Sequence, residues 1–259
     1  MGWREAGDAW GSRATEWAYL AEPHFRPVNE RIFGLTGVKA GTALLDVGCG
    51  SGYASWLAAD RGAGVHGLDA SENLLTVARA RTPHGDFRFG DMDSLPWDME
   101  SFDVVTCFNS IWIGNDVAMA EAARVLRRGG NFAMTFWGSP KRMGLAPFFQ
   151  TVAALSPSEH GTATIGLGDT GRSGVAEAMI ERAGLTFLER GSVTVTNEFP
   201  DLELGMRALL AAGPAYPAIA NVGEQRFVAA LREAFSGLPI GPAGLRISSD
   251  IDWVTARKP

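Results

Sequence analysis

A glycine-rich turn between two acids carries the clearest chemical signal in the chain. An apolar run ends at Asp46, glycines follow at positions 48, 50 and 52, and a helix-like segment comes after them. Glycines let the backbone turn sharply and approach a ligand, and the N–H groups at a helix N-terminus attract polar or anionic groups. Asp69 ends the next apolar run, a spacing that suits a carboxylate bound to the hydroxyls of a ribose. The pattern therefore predicts a site for an adenosine-containing cofactor.

Two other nucleotide sites fit the turn less well. A dinucleotide site usually has G-x-G-x-x-G, and Tyr53 stands where its last glycine would fall. A P-loop requires Gly-Lys-Ser or Gly-Lys-Thr, and the turn contains no lysine. A nicotinamide-dependent oxidoreductase stays an alternative, which Tyr53 weakens.

The acid followed by Gly48-Cys49-Gly50-Ser51-Gly52 resembles motif I of the class I S-adenosylmethionine-dependent methyltransferases. Asp69 resembles the ribose-binding acid of that family. Three later segments resemble, in order, its adenine-binding segment, its fourth strand, and the helix that leads into strand five: Gly90–Pro96, Ser101–Val105 and Glu121–Gly130. The resemblance covers roughly residues 40 to 137, and four segments in the right order are more specific than one glycine turn.

The resemblance implies S-adenosylmethionine as the cofactor and S-adenosylhomocysteine as its product. Asp46 would help to hold the ammonium group, Gly48 and Gly50 would let the backbone meet the methionine part, and Asp69 would bind the ribose. The residues expected to contact the cofactor are Asp46, Gly48, Cys49, Gly50, Asp69, Ala70, Asp91, Met92, Phe108 and Asn109. Of these, Asp91 would accept the adenine amino group and Met92 would offer its amide to a ring nitrogen.

No general base stands out from the sequence. The candidates near expected pocket loops are His24, Tyr19, Asn109 and His160. Four tryptophans could line a pocket or pack in the core: Trp10, Trp17, Trp112 and Trp137. No Cys/His spacing for zinc and no acid cluster for Mg²⁺ is present, so no metal is expected.

Hydrophobic periodicity predicts the elements that position these residues. Helices are expected within residues 1–35, divided by Pro23 and Pro27, because proline interrupts helices. The predicted strands are 43–47, 64–69, 86–89, 102–108, 131–137, 187–197 and 247–256. The predicted helices that follow are 53–61, 71–81, 116–128, 144–155, 174–183, 201–212 and 223–236, with a loop over 156–172.

Alternating strands and helices predict an α/β fold with helices on both faces of the sheet. We expect a Rossmann-like, seven-stranded, mostly parallel sheet, with a helical cap inserted between the last two strands. The chain is expected to form one domain over 1–259. Its expected parts are an N-terminal helical segment (1–35), a cofactor-binding half (40–137), and cap or substrate elements (138–172 and 200–240).

Composition and net charge limit the kinds of partner and the location that we expect for this chain. The apolar fraction of 46% and the charged fraction of 20% are ordinary for a soluble globular protein. The net charge of −6 disfavours a nucleic-acid surface, which requires a basic stripe. No apolar run approaches the roughly 20 residues of a membrane span, and no secretory apolar core follows Met1, so the cytoplasm is expected. Two cysteines form no disulfide framework, and a homodimer remains open.

The favoured hypothesis is methyl transfer to O, N or C of a small organic metabolite. A cap rich in Trp, Met and Phe favours an acceptor with aromatic or aliphatic bulk. The alternatives are an RNA or protein methyltransferase, the former disfavoured by the acidic charge, and a cofactor-binding protein of this fold that transfers no methyl group.

Overall fold

The computed structural model describes residues 2–157, 169–237, 240–241 and 244–259. Within these ranges the strands belong to one eight-stranded sheet. The strands are β1 (Ala43–Val47), β2 (Gly64–Asp69), β3 (Asp86–Phe89), β4 (Phe102–Phe108), β5 (Leu126–Trp137), β6 (Thr186–Phe199), β7 (Ile240–Gly241) and β8 (Gly244–Arg257).

The strand order is β3-β2-β1-β4-β5-β8-β6, and the two-residue β7 pairs with β8. Strands β1 to β5 pair in parallel, whereas β8 runs antiparallel to both β5 and β6. The order reverses between β1 and β4, which is where open α/β sheets bind ligands at their carboxyl edge. This confirms the predicted Rossmann-like, mostly parallel sheet, whose main path has seven strands.

Helices cover both faces of this sheet. They are α1 (Trp3–Gly11), α2 (Ala14–Glu16), α3 (Arg26–Thr36), α4 (Tyr53–Ala59), α5 (Glu72–Arg81), α6 (Asp116–Val125), α7 (Ala146–Leu155), α8 (Val175–Arg182), α9 (Leu202–Leu210), α10 (Ala215–Val222) and α11 (Glu224–Ala234). Two clusters of buried side chains lie under them, one containing Val105 and Phe132 and the other containing Leu44 and Leu57.

The N-terminal segment differs from its prediction. Between α2 and α3 the chain forms a π-helical turn (Trp17–Ala21) and a 3₁₀ turn (Glu22–Phe25). Pro23 lies in the 3₁₀ turn, as a helix breaker should, but Pro27 lies in the first turn of α3. Proline is tolerated there because the N–H groups of the first helical turn have no partner within the helix. The prediction that Pro27 separates two helices was therefore wrong.

Helix α6 ends at Val125, three residues before the predicted end. Leu126 takes an extended conformation and pairs with Phe102 of β4, so Arg127, Arg128 and the two following glycines belong to β5. The register of β5 against β4 shifts within this stretch. The basic residues and glycines that suggested a helix C-terminus therefore form an irregular start of a strand.

Three helices lie between β6 and β8, where two were predicted. The additional helix is α10, which begins after Pro214 and has Pro217 in its first turn. A third cluster of buried side chains, including Phe148 of α7, Phe227 of α11 and Trp253 of β8, joins these helices to the sheet. In the described parts of the chain, no helix has the length and apolar character needed to span a membrane.

Candidate functional site

The turn after β1 is held tightly against its neighbours. The N–H groups of Gly48 and Cys49 both donate to the Leu68 carbonyl of β2, at 2.7 and 3.0 Å. Gly48 has φ +73, and a Cβ added there would lie 2.3 Å from the Ser110 Cβ. Glycine is therefore required at this point by backbone conformation and by space. Gly48, Cys49 and Gly50 line a cavity at the carboxyl edge of the sheet.

Asp69, at the end of β2, braces the turn. One carboxylate oxygen accepts the N–H of Gly50 and the other accepts the N–H of Ser71, both at 2.8 Å. Burial raises the pKa of Asp69 to about 6, although these backbone hydrogen bonds oppose the rise. Each carboxylate oxygen has a further lone pair, so Asp69 can bind a ligand hydroxyl while it holds the turn.

Asp46 lies at the centre of the sheet edge and is buried. Its oxygens accept hydrogen bonds from Thr106 of β4 at 3.0 Å and from Ser55 of α4 at 3.5 Å. Burial, together with the neighbouring charges of Glu22 and Asp69, raises its pKa to about 7, although the hydrogen bond from Thr106 opposes the rise. A cation bound near these carboxylates would favour their ionised forms.

Glu22 completes an acidic trio with Asp46 and Asp69, and sequence reasoning missed it. Its carboxylate accepts the N–H and the hydroxyl of Ser51, the indole N–H of Trp17 at 3.1 Å, and a guanidinium N–H of Arg81 at 2.8 Å. Burial raises its pKa despite these partners. Glu22 reaches the glycine turn only through tertiary folding, 29 residues away in sequence, so no local pattern marks it.

A cavity of about 670 Å³ opens from the glycine turn toward the helical cap. This volume lies within the range of about 300–1,000 Å³ that is typical of small-molecule sites. The acidic trio lines one end. The remaining wall is mainly apolar and comes from the N-terminal segment, β4, α7, β6 and the cap. Its large side chains include Trp10, Trp17, Phe25, Trp112, Trp137, Phe148, Phe149, Phe199 and Leu209.

Most of the residues predicted to contact a cofactor line this cavity. They are Asp46, Gly48, Cys49, Gly50, Asp69, Ala70, Met92, Phe108 and Asn109. Asp91 is not part of the lining, and its Oδ1 accepts the N–H of Asp93 at 3.0 Å. This contact closes a turn after β3, so the structure gives Asp91 a turn-capping role and leaves Met92 as the part of the segment that faces the cavity.

Two of the described candidates for a general base, His24 and Tyr19, do not line the cavity. The two ring nitrogens of His24 face the carbonyl oxygens of Ala21 and Glu198, at 3.2 and 3.1 Å, so neither is directed at the cavity. Tyr19 is 63% exposed and its ring stacks against the guanidinium of Arg81. His160 lies outside the described residues.

Asn109 is the described candidate that faces the cavity. It has φ +52, a conformation that asparagine tolerates better than most residues. Its N–H donates to the carbonyl and hydroxyl of Thr135, and its Oδ1 is buried without a hydrogen-bond partner in the described structure. An amide cannot act as a strong base, so Asn109 can orient a ligand but not deprotonate it.

The two cysteines of the chain are neither reactive thiols nor part of a metal site in the described structure. Burial raises the pKa of the Cys49 and Cys107 thiols well above the usual value, so both are protonated at neutral pH. Both are free and buried. Among the described residues, no group of three His, Cys, Asp or Glu side chains is arranged to hold a metal ion.

Residues 45–134 match a family model described as a methyltransferase domain. A malonyl-(acyl-carrier protein) O-methyltransferase from Serratia marcescens is 38% identical over 109 residues, which are 40% of this chain and 42% of that protein. A demethylmenaquinone methyltransferase from Tropheryma whipplei is 31% identical over 138 residues, which are 51% of this chain and 56% of that protein. The chain thus spans about half the length of the curated relatives it matches.

A solved structure, the YcgJ protein from Bacillus subtilis, superposes with a TM-score of 0.62 at 17% identity. The superposition covers 90% of this chain and 98% of that one. At this identity the likeness concerns the fold, which the two proteins share over most of the chain.

Proposed function

We propose that this chain, whose residues 45–134 match a family model described as a methyltransferase domain, is a class I S-adenosylmethionine-dependent methyltransferase that transfers a methyl group from S-adenosylmethionine to a small organic acceptor. The observation that carries the proposal is the continuous cavity, which joins the glycine turn and its acids to an aromatic pocket. Such a cavity can hold a cofactor and an acceptor side by side.

The residues present fit the proposed cofactor. Gly48 and Gly50 line the cavity and can present their main chain to the methionine part, and Asp69 has free lone pairs for the ribose hydroxyls. Glu22 and Asp46 provide negative charge for the ammonium and sulfonium groups. When bound, the cofactor supplies a methyl group activated by positively charged sulfur.

The chain's own contribution would be orientation and exclusion of water. Holding two reactants in the reactive geometry is worth up to roughly 7–11 kcal/mol. Aromatic rings close to a cation add about 0.5–2 kcal/mol each. Trp10 and Trp17 pack edge to face at 4.7 Å over the cofactor end of the cavity, and Trp137 continues this wall through Phe25. We place acceptor O, N or C atoms in this aromatic part of the cavity.

The names of two relatives give their own acceptors, demethylmenaquinone in one and malonyl-(acyl-carrier protein) in the other. For this chain we propose a small-molecule acceptor because its own cavity is lined largely by aromatic side chains. The cytoplasmic location, the exclusion of nucleic acid as acceptor, and a homodimer remain predictions from the sequence.

The first experiment measures melting temperature with candidate cofactors. A ligand at 100 times its dissociation constant stabilises a protein by about 2.7 kcal/mol, which corresponds to roughly 5–11 °C for a chain of this size. S-adenosylhomocysteine should give this shift and NAD⁺ should not. A shift with NAD⁺ alone would contradict the cofactor assignment.

The second experiment tests transfer. Radiolabelled S-adenosylmethionine is incubated with the protein and a panel of hydroxylated aromatic, quinone and amine metabolites, with unmodified tRNA as a macromolecular arm. Label should enter a small acceptor. Label in tRNA, or tight cofactor binding with no transfer to any acceptor, would favour the alternatives over methyl transfer to a small molecule.

A further inference from the structure

Two buried asparagines interrupt the aromatic part of the cavity. Asn29 extends from α3 and Asn197 from β6, and they are 3% and 7% exposed. Both line the cavity, together with apolar neighbours such as Phe148 and Phe199. An amide at such a position is unusual, because asparagine is mostly found at the surface.

Neither side-chain amide forms a hydrogen bond to any residue that the structure describes, although both residues are more than nine-tenths buried. Buried polar side chains in proteins almost always have a partner. Their polar atoms are not among the fully buried atoms without a partner, so both amides open onto the cavity and can pair with polar atoms of a molecule bound there.

The two amides are held by connected parts of the chain. The 3₁₀ turn that leads into α3 is fixed to β6, because His24 contacts the Glu198 carbonyl at 3.1 Å and packs its ring against Phe199 at 5.0 Å. Glu198 and Phe199 directly follow Asn197 in β6. The turn and the strand therefore hold Asn29 and Asn197 on adjoining walls.

The charge of the cavity limits what can bind there. The charged side chains among its described lining residues are the three acids Glu22, Asp46 and Asp69, all at the cofactor end. These acids repel a carboxylate or phosphate. An asparagine amide offers two donors and an acceptor without net charge, which suits the hydroxyl or carbonyl of a neutral molecule.

We infer that the methyl acceptor is an uncharged molecule with an aromatic body, whose hydroxyl or carbonyl oxygen is bound by Asn29 and Asn197. The inference rests on the proposed function, because it assigns the second half of the same cavity. Asn29 and Asn197 are positioning residues that select and orient the acceptor.

The test compares two probes with the same bicyclic ring, neutral 2-naphthol and anionic 2-naphthoate. Their binding is measured by isothermal titration calorimetry at pH 7.5 with saturating S-adenosylhomocysteine. The neutral probe should bind at least about tenfold more tightly, because the acids disfavour the carboxylate. Equal or tighter binding of 2-naphthoate, or no binding of 2-naphthol up to its solubility limit, overturns the inference.

Variants then locate the polar contact. Asn29→Ala and Asn197→Ala should each weaken 2-naphthol binding about three- to tenfold, the usual range for loss of one hydrogen bond. Their affinity for S-adenosylhomocysteine should stay unchanged, which also shows that the variants fold. Asn131→Ala is the matched control, because this asparagine of β5 donates to the Thr36 carbonyl and does not line the cavity.

The outcomes separate the two levels of the proposal. If S-adenosylhomocysteine binds but both asparagine variants bind 2-naphthol like the wild type, the acceptor inference fails and the proposed function stands. If wild-type protein does not bind S-adenosylhomocysteine, the proposed function fails and the inference fails with it.

Discussion

At the scale of single residues, the acids of the site each serve the fold and the ligand together. Asp69 joins the turn at Gly50 to the start of α5 at Ser71. It therefore shapes the main chain that the ligand would touch as well as offering oxygen atoms to it. Removing the carboxylate should therefore weaken cofactor binding both by distorting the turn and by removing a hydrogen-bond acceptor.

Asp69→Ala is expected to abolish the stabilisation by S-adenosylhomocysteine. The variant loses the acceptor for the ribose hydroxyls and leaves the Gly50 and Ser71 N–H groups without their partner, a cost of about 1–3 kcal/mol for each buried group. Melting curves with and without ligand measure the effect. Asp60→Ala changes an exposed acid at the end of α4 and should keep the full shift. A full shift in Asp69→Ala would contradict the ribose assignment.

Glu22 and Arg81 form the most buried ion pair near the site, with side chains 11% and 13% exposed. Glu22→Ala should lower the free energy of unfolding by about 3–5 kcal/mol, because it leaves the Arg81 charge buried and unpaired. Urea unfolding measures this change. The control is Glu72→Ala in the exposed pair with Arg79, where a loss of about 1 kcal/mol or less is expected. Equal effects in the two variants would show that the burial of the pair has little energetic weight.

At the scale of elements, α1 connects the cofactor end of the cavity to the cap. On one side, Gly7 lies so close to the loop after β2 that an added Cβ would be 1.8 Å from the Ala70 carbonyl oxygen. On the other side, Trp10 packs against Gly213, in the turn between α9 and α10. The helix therefore closes the cavity wall and holds the cap over the sheet edge.

Two glycine-to-alanine changes in helices should have opposite effects. Gly7→Ala must push α1 away from Ala70, and we expect it to weaken S-adenosylhomocysteine binding and lower the melting temperature. Gly34→Ala in α3 has open space around it and should stabilise the protein by about 0.5–1 kcal/mol, because alanine loses less backbone entropy in a helix. Calorimetric titration and thermal unfolding measure both. Unchanged cofactor affinity in Gly7→Ala would mean that α1 does not form part of the binding wall.

The elements also show which features local sequence can predict. Strands β1 to β4 have the predicted bounds. β1, β2 and β4 are short, mostly buried runs in the parallel sheet, whereas β3 alternates polar residues with Phe87 and Phe89. The end of α6 was predicted wrongly, because pairing of Leu126 with β4 outweighs the local tendency of basic residues and glycine to end a helix. Long-range pairing of this kind leaves no local signal.

The residues of the candidate site also fall into those that local sequence predicts and those that it does not. The turn after β1 and Asp69 were found because a β-strand followed by glycines fixes their position locally. Glu22, Asn29 and Asn197 were missed, because their role depends on the N-terminal segment folding back over the sheet and on β6 lying beside α3. A lone acid or amide in a helical or strand pattern is indistinguishable from an ordinary surface residue.

At the scale of the whole molecule, the acidic character extends into the cavity. The chain carries a net charge of −6, and three of its acids face the cavity with raised pKa values. A closely spaced group of buried carboxylates is unfavourable when all are ionised. A cationic ligand relieves this repulsion, so binding, folding and pH are linked.

The direction of that linkage follows from the raised pKa values. Asp46 and Asp69 have pKa values of about 7 and about 6 in the folded protein, against an ordinary value of 3.8. Between pH 4 and 7, roughly, the folded protein holds protons that the unfolded chain has released. These two groups should therefore lower the stability of the ligand-free protein progressively as the pH rises through this range, with the full loss reached above about pH 7.

Binding of S-adenosylmethionine should show the opposite trend. Its positive sulfur favours the ionised carboxylates, so binding releases protons and its affinity should rise from pH 5.5 to 7.5. Calorimetric titrations at pH 6.5, in two buffers with different enthalpies of ionisation, measure the number of protons released. Asp46→Asn cannot ionise at this position, so the rise between pH 6.5 and 7.5 should be smaller in that variant. This comparison also removes the titration of the ligand's own groups. An affinity with the same pH profile in wild type and variant would mean that Asp46 does not sense the cofactor's charge, and its contact would then be with an uncharged part of the ligand.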